Sequence, residues 1–178
     1  LSLFFVWEGG LSFHGGLLGV IVSLYVYSYQ QSISFFRLAD SICAAMPIGL
    51  GLVRIGNFIN GELYGRTTDG TWGFVFPTDP YGFTRHPSQL YEAFLEGLIL
   101  FIVLMVIGAK NKKPGVISGS FLIGYGLIRF FIEFFRQPDA HMGFIALQLS
   151  MGQLLSIPMV IIGLILLLKS LKKNEAIS

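Results

Sequence analysis

Charge is scarce in this chain. Of its 178 residues only 12% are Asp, Glu, Lys or Arg, about half the share of an ordinary soluble domain. A water-soluble surface cannot be built from that supply. Disorder is excluded too, because it needs low hydrophobicity and high net charge, whereas 53% of these residues are hydrophobic and the net charge is +2. So small a net charge also argues against a nucleic-acid partner. Cysteine is nearly absent: Cys43 stands alone, so an internal disulfide and a cysteine metal cluster are ruled out, and Cys43 reads as a small packing residue. The three histidines, His14, His86 and His141, are scattered without metal-ligand spacing. Phosphate-binding Walker loops, dinucleotide fingerprints and nucleophile elbows are missing. The expected chemistry therefore uses no cofactor and no metal. Internal repeats and low-complexity tracts are missing as well.

What the chain does have is apolar length. Its mean hydropathy is +0.70, and it carries 17 Phe and 22 Gly. A membrane-spanning helix takes about 20 mostly apolar residues, and five stretches qualify: Leu11–Tyr29, Phe35–Ile59, Pro87–Ala109, Val116–Phe135 and Leu147–Lys169. The fold class expected is all-α, a single polytopic helical membrane domain. The six lysines orient it. Lys110, Lys112 and Lys113 lie between the third and fourth stretches, and Lys169, Lys172 and Lys173 follow the fifth. Positive loops stay cytoplasmic, so the C-terminus is expected inside. The insertion at 60–86 is then expected on the periplasmic side. That segment is rich in Gly and Pro and reads as turns and short extended pieces. Within it, Trp72-Gly-Phe-Val-Phe reads as a short strand with aromatics near the headgroups, and Gly65 as a turn residue at positive φ. The chain opens on Leu1 without a basic stretch before an apolar one, so no cleaved signal peptide is expected here.

The six arginines do not follow the lysines. Only Arg37 falls on the inner side; Arg54, Arg66, Arg85, Arg129 and Arg136 fall at or near the outer side. Arg54 and Arg129 lie within their spans, where an arginine costs about 2.5–3.5 kcal/mol on insertion scales. Tyr125, Arg129, Glu133 and Arg136 are spaced by four, four and three residues, which puts them on one helical face. Arg54, Asn57 and Asn60 recur at three-residue steps along another. Two polar stripes at matching depth would meet inside the bundle, and guanidinium suits bidentate contact with phosphate. The pocket expected is anionic-ligand binding and lies in the outer half of the bilayer, where a phospholipid headgroup is the available anion. The structural alternative pairs Arg129 with Glu133 and Arg54 with Glu62 or with helix-end carbonyls.

Positions 51 to 66, Gly-Leu-Val-Arg-Ile-Gly-Asn-Phe-Ile-Asn-Gly-Glu-Leu-Tyr-Gly-Arg, closely resemble the signature of the bacterial prolipoprotein diacylglyceryl transferases. The match holds from Arg54 to Gly65 and departs at Val53, where the family usually has Gly and where Val is bulkier against a neighbouring helix. Four further segments resemble the family in the right order. They are Ser-Phe-His-Gly-Gly-Leu-Leu-Gly at 12 to 19, Arg-His-Pro-Ser-Gln-Leu-Tyr-Glu at 85 to 92, the arginine helix at 125 to 136, and Leu-Ser-Met-Gly-Gln-Leu-Leu-Ser-Ile-Pro-Met at 149 to 159. Members have seven spans, so the resemblance implies that two helices precede the five visible ones.

The resemblance also implies a reaction at the bacterial cytoplasmic (inner) membrane. The diacylglyceryl group of phosphatidylglycerol passes to the lipobox cysteine thiol of a prolipoprotein, forming a thioether and releasing glycerol phosphate. Phosphatidylglycerol, the prolipoprotein signal peptide and membrane lipids are the partners it implies. Thiolate is the competent nucleophile, and fixed cations favour departure of the phosphate. Arg54 and Arg129 are expected to hold the phosphate, and Asn57, Asn60 and Tyr125 to orient the headgroup. Glu62 and Glu133 are expected to hold the arginines rather than act as bases. His14 is the candidate base, since imidazole titrates near neutral pH. His86 is expected to organise a helix start with Pro87 at its first helical position. A transporter or binding protein for an anionic solute or lipid headgroup is the alternative, but the polar residues gather toward one membrane face and transporters show repeats.

Overall fold

A computed structural model of the protein describes residues 13–137 and 150–172. Five helices run through the described residues: α1, Phe13–Gln30; α2, Phe35–Asn60; α3, Ser88–Lys110; α4, Val116–Ile132; and α5, Met151–Lys172. Three of them, α2, α3 and α5, are long and apolar enough to cross a membrane, and α4 is a shorter apolar helix. The interior is the reverse of a soluble protein's. Among the described residues fourteen polar or charged side chains are buried against six hydrophobic ones, while Leu, Ile, Val and Phe fill the outer surface. Lipid tails are as apolar as Leu, so such a bundle is held by close packing and polar contacts rather than by hiding apolar groups.

Glycine supplies the close packing. On α2 and α3 the backbones nearly touch at Gly51 and Gly97: a Cβ on Gly97 would sit 2.8 Å from the Gly51 Cα. Where α4 crosses α5, a Cβ on Gly163 would sit 2.9 Å from the Gly119 carbonyl oxygen. Leu100, Leu104 and Phe121 form the apolar centre between α3 and α4, with Cys43 of α2 and Tyr125 of α4 packed against it. At the far end of α2 the buried Asp40 accepts hydrogen bonds from the backbone N–H groups of Gly115 (2.7 Å) and Ser118 (2.8 Å) and from the Ser118 hydroxyl (2.6 Å). A carboxylate there satisfies the orphan donors at the start of α4 and complements its dipole.

Helix ends follow local chemistry. Gly61 closes α2 in the left-handed region, φ 69, with its N–H returning to the Asn57 and Phe58 carbonyls. Pro87 is the N-cap of α3 rather than its first helical residue. Helix α4 ends at Ile132, three residues before the expected Phe135, because the chain turns there to pair with the segment after α2: the N–H of Arg66 bonds the Phe135 carbonyl (2.9 Å), and Gly65 bridges Arg136. Ser150 and Gln153 start α5 by a reciprocal cap, the Gln153 N–H to the Ser150 hydroxyl (3.3 Å) and the Ser150 N–H to the Gln153 side-chain oxygen (3.1 Å). The expected start at Leu147 lies outside the described residues.

Between α2 and α3 the chain makes turns and one small antiparallel ribbon, β1 (Phe74–Val75) with β2 (Thr84–Arg85). The strand expected around Trp72 is thus two residues long. The ribbon is tied down by Arg85, whose Nε and Nη2 meet Asp79 at 2.7 and 3.0 Å and whose Nη1 reaches Gln137 at 2.5 Å. Arg85 also lies over the Tyr64 ring, 4.8 Å from its centre. These contacts hold the Asp79 carboxyl below the usual carboxylate range, mainly through the hydrogen bonds from Arg85 and with help from the N–H groups of Tyr81 and Phe83. Gly65 corrects an expectation. It is not at positive φ; its glycine is needed because a Cβ would lie 2.5 Å from the Phe135 carbonyl oxygen and 2.7 Å from that of His86.

Candidate functional site

The two arginines expected within spans, Arg54 and Arg129, come from α2 and α4 and meet at a residue of α3. Arg54 Nε lies 2.5 Å from Glu92 Oε2, and Arg129 Nη1 lies 3.6 Å from the same oxygen. Arg129 Nη2 also meets Glu133 Oε2 at 2.9 Å, one helical turn on. All three contacts are ion pairs without aligned hydrogen-bond geometry. Glu92 is completely buried, and so is Glu96 one turn later. Glu96 has no hydrogen-bond partner among the described residues and lies within electrostatic reach of Glu92, Arg129 and Arg54. Two guanidiniums therefore face three carboxylates. Burying such a group costs several kcal/mol per ion unless each charge is matched.

Local structure explains how α3 delivers both acids. Between Ala93 and Ile99 the helix takes π geometry, with i→i+5 bonding that is uncommon and recurs at functional sites. This wider stretch sits where Gly97 presses on Gly51. Glu96 is carried by this stretch, and Glu92 directly precedes it.

A second, more open polar chain leads outward from Arg54. Its Nη1 donates to Asn57 Oδ1 at 3.5 Å; Asn57 Nδ2 donates to Glu62 Oε1 at 2.8 Å, and Asn60 Nδ2 to the same oxygen at 3.4 Å. Glu62 and Asn60 are exposed. The pairing of Arg54 with Glu62, expected as the structural alternative, is replaced by Arg54 with Glu92, and Asn57 stands between. Tyr125 lies on the Arg129 face of α4, stacked on Phe121 with ring centres 5.7 Å apart. The backbone of His14 falls in the first turn of α1, and its side chain lies outside the described residues, as does His141. His86 is structural in its contacts: its ring Nδ1 is 3.2 Å from the Tyr91 hydroxyl, and its backbone pairs with Gly65 and Arg66. Val53 is 60% exposed, so among the described residues its bulk lies largely on the outer surface.

Sequence reasoning placed Arg54, Asn57 and Asn60 on one helix face and Tyr125, Arg129, Glu133 and Arg136 on another, and the structure brings Arg54, Asn57, Asn60, Arg129 and Glu133, together with Glu62, into two linked polar clusters. It missed Glu92, Glu96 and Asp40. The signal for the first two was present: acids at positions i and i+4 in an otherwise apolar span are costly unless paired, and their depth matches that of the arginines.

The profile of the prolipoprotein diacylglyceryl transferase family matches residues 1–169. A phosphatidylglycerol–prolipoprotein diacylglyceryl transferase of Geobacter sulfurreducens is 57% identical over 164 residues, 92% of this chain and 63% of the relative. Enzymes of the same name from Photobacterium profundum and Aliivibrio fischeri are 54% and 53% identical, over 97% and 98% of this chain and 64% and 62% of their own lengths. The chain therefore spans less than two thirds of these relatives. With its apolar helices and polar interior, it belongs to the prolipoprotein diacylglyceryl transferase family of multi-pass membrane proteins.

Proposed function

We propose that the protein carrying this chain transfers the diacylglyceryl group of phosphatidylglycerol to the lipobox cysteine of prolipoproteins. The observation that carries the reading is the meeting of Arg54 and Arg129, from separate helices, at one buried carboxylate, with both side chains partly exposed. A phosphodiester monoanion fits between two such forks. In the reaction the substrate thiolate sulfur attacks the glyceryl carbon next to the phosphate, a carbon–sulfur bond forms, and the carbon–oxygen bond breaks. Its electron pair leaves on the phosphate oxygen of glycerol phosphate, so negative charge grows where the guanidiniums are fixed. The thiol proton passes to a base, the role we assign to His14. Asn57, Asn60 and Glu62 bind the glycerol headgroup along the open polar chain, Tyr125 borders it, and Glu133 holds Arg129.

We place the chain in the bacterial inner membrane with five crossings, the 60–86 segment periplasmic and the C-terminus cytoplasmic. Lysine distribution supports that orientation. The test is chemical. The full-length protein is incubated with phosphatidylglycerol and a lipobox peptide, and the products are read by mass spectrometry. The peptide is expected to gain a diacylglyceryl thioether while free glycerol phosphate appears. Neither product would form if the site only bound or moved an anion.

A further inference from the structure

We propose that Glu92 is a positioning residue for this reaction: its carboxylate fixes Arg54 and Arg129 from behind, so that both present their open edges to one phosphodiester. The inference rests on the transfer reaction proposed above, and it concerns a residue outside the set assigned there.

Three observations carry it. The first is shared contact. One oxygen, Glu92 Oε2, takes Arg54 Nε at 2.5 Å and Arg129 Nη1 at 3.6 Å, although the two arginines lie on different helices. The second is layering. The Glu92 side chain is 1% exposed, whereas the Arg54 and Arg129 side chains keep 16% and 15%. The carboxylate lies deepest, and the two arginine side chains carry the solvent exposure of the cluster. The third is rigidity. Glu92 directly precedes the π-helical stretch, and close contact of Gly97 with Gly51 fixes that stretch to α2. Glu133 holds the other edge of Arg129 at 2.9 Å and itself rests on α5, where a Cβ on Gly152 would lie 2.5 Å from its Oε2.

Without the Glu92 carboxylate the two guanidiniums lose the one anion they share. Glu133 still holds Arg129, while Arg54 loses its ion-pair partner and is free to move away from Arg129 in a medium that screens the two cations poorly. Loose guanidiniums still attract a phosphodiester, and they do so more strongly once a competing anion is gone. They no longer meet the second negative charge that develops on the departing phosphate. A fixed array stabilises that charge without having to reorganise at the moment of reaction.

Glu92→Gln, nearly the same shape without the charge, tests this in the full-length enzyme. Its kcat is expected to fall by about tenfold or more, while the Kd for phosphatidylglycerol, measured by native mass spectrometry in zwitterionic detergent, stays level or tightens. Glu92→Asp keeps the charge but shortens the arm, and its kcat is expected to fall between the two. Thermal unfolding of each variant identifies the folded fraction to which rates are normalised. The effect must also act through Arg54. In an Arg54→Lys background the Glu92→Gln change is expected to add little to the loss of kcat and to leave Kd unmoved, a non-additive cycle. A wild-type kcat in folded Glu92→Gln overturns the proposal. So does a Kd raised tenfold at unchanged kcat, or additivity with Arg54→Lys. If the unmodified enzyme makes no thioether, the function proposed above falls, and the cycle read in Kd alone still decides the role of Glu92.

Discussion

Arg54 and Arg129 are distinguished from the other arginines by what surrounds them. Arg85 is spent on Asp79 and Gln137, and Arg66 bonds the Arg136 carbonyl through Nε at 2.9 Å; both brace the segment between α2 and α3. Arg54 and Arg129 instead pair with buried acids, and their side chains stay partly exposed. Lysine offers a point charge with no fork, so it cannot hold Glu92 and a phosphate together. Arg54→Lys and Arg129→Lys are each expected to lower transfer about tenfold or more, measured as thioether formed per minute. Cys43→Ser, in the apolar cluster beside Leu100, is expected to transfer near the wild-type rate. The site assignment fails if the cysteine change abolishes turnover and both arginine changes are tolerated. The arginines were legible in the sequence because charge in an apolar run stands out. Their pairing with Glu92 was not, since the contact from Arg54 to Glu92 joins two helices across an irregular segment whose path no periodicity encodes.

At the scale of elements, the segment between α2 and α3 works as a clamp. It pins the end of α2 to the turn after α4 through Gly65, whose N–H bonds the His86 carbonyl at 2.8 Å. Gly65→Ala forces a Cβ to within 2.5 Å of the Phe135 oxygen, so the two strands of chain must part. A loss of about 1–3 kcal/mol is expected, in the range for overpacking, seen as a lower Tm in detergent micelles. The ribbon also carries a pH dependence. Asp79 is held below its ordinary range, about 3.9 for aspartate, chiefly by Arg85. A depressed carboxyl contributes stability that is fully present above its unfolded-state pKa and is lost as pH falls through its folded-state value. Hydrogen exchange across 64–86 is therefore expected to be slow and flat from neutral pH to about pH 4, after correction for intrinsic rates, and to quicken below it. Asp79→Asn is expected to show the faster exchange already at neutral pH; identical profiles for the two proteins would contradict the clamp.

At the scale of the molecule, the distribution of residues is that of a protein whose solvent is lipid. Apolar side chains face outward, and acids, arginines, glutamines and serines fill the interior. The lysine clusters predict its orientation. A fluorescent protein fused after Ser178 is expected to fluoresce in cells, since it matures in the cytoplasm. Alkaline phosphatase inserted near Gly70, a residue at φ 91 with open space around its Cα, is expected to be active only if that loop reaches the periplasm. Reversal of both signals would overturn the orientation and the depth assigned to the site.

The sequence by itself determined the solvent, the helices to within a few residues and the two arginine faces. Each of these is local: hydropathy over about 20 residues finds a span, and three- and four-residue spacing finds a face. Which face meets which was decided only by the tertiary structure. Gly51 against Gly97 sets the approach of α3 to α2, Glu92 and Glu96 are buried on that helix, and the two arginines come to share one carboxylate. Ion pairing in a poorly screening interior acts through space between distant parts of the chain, so its outcome is written in the packing of helices and not in the order of residues.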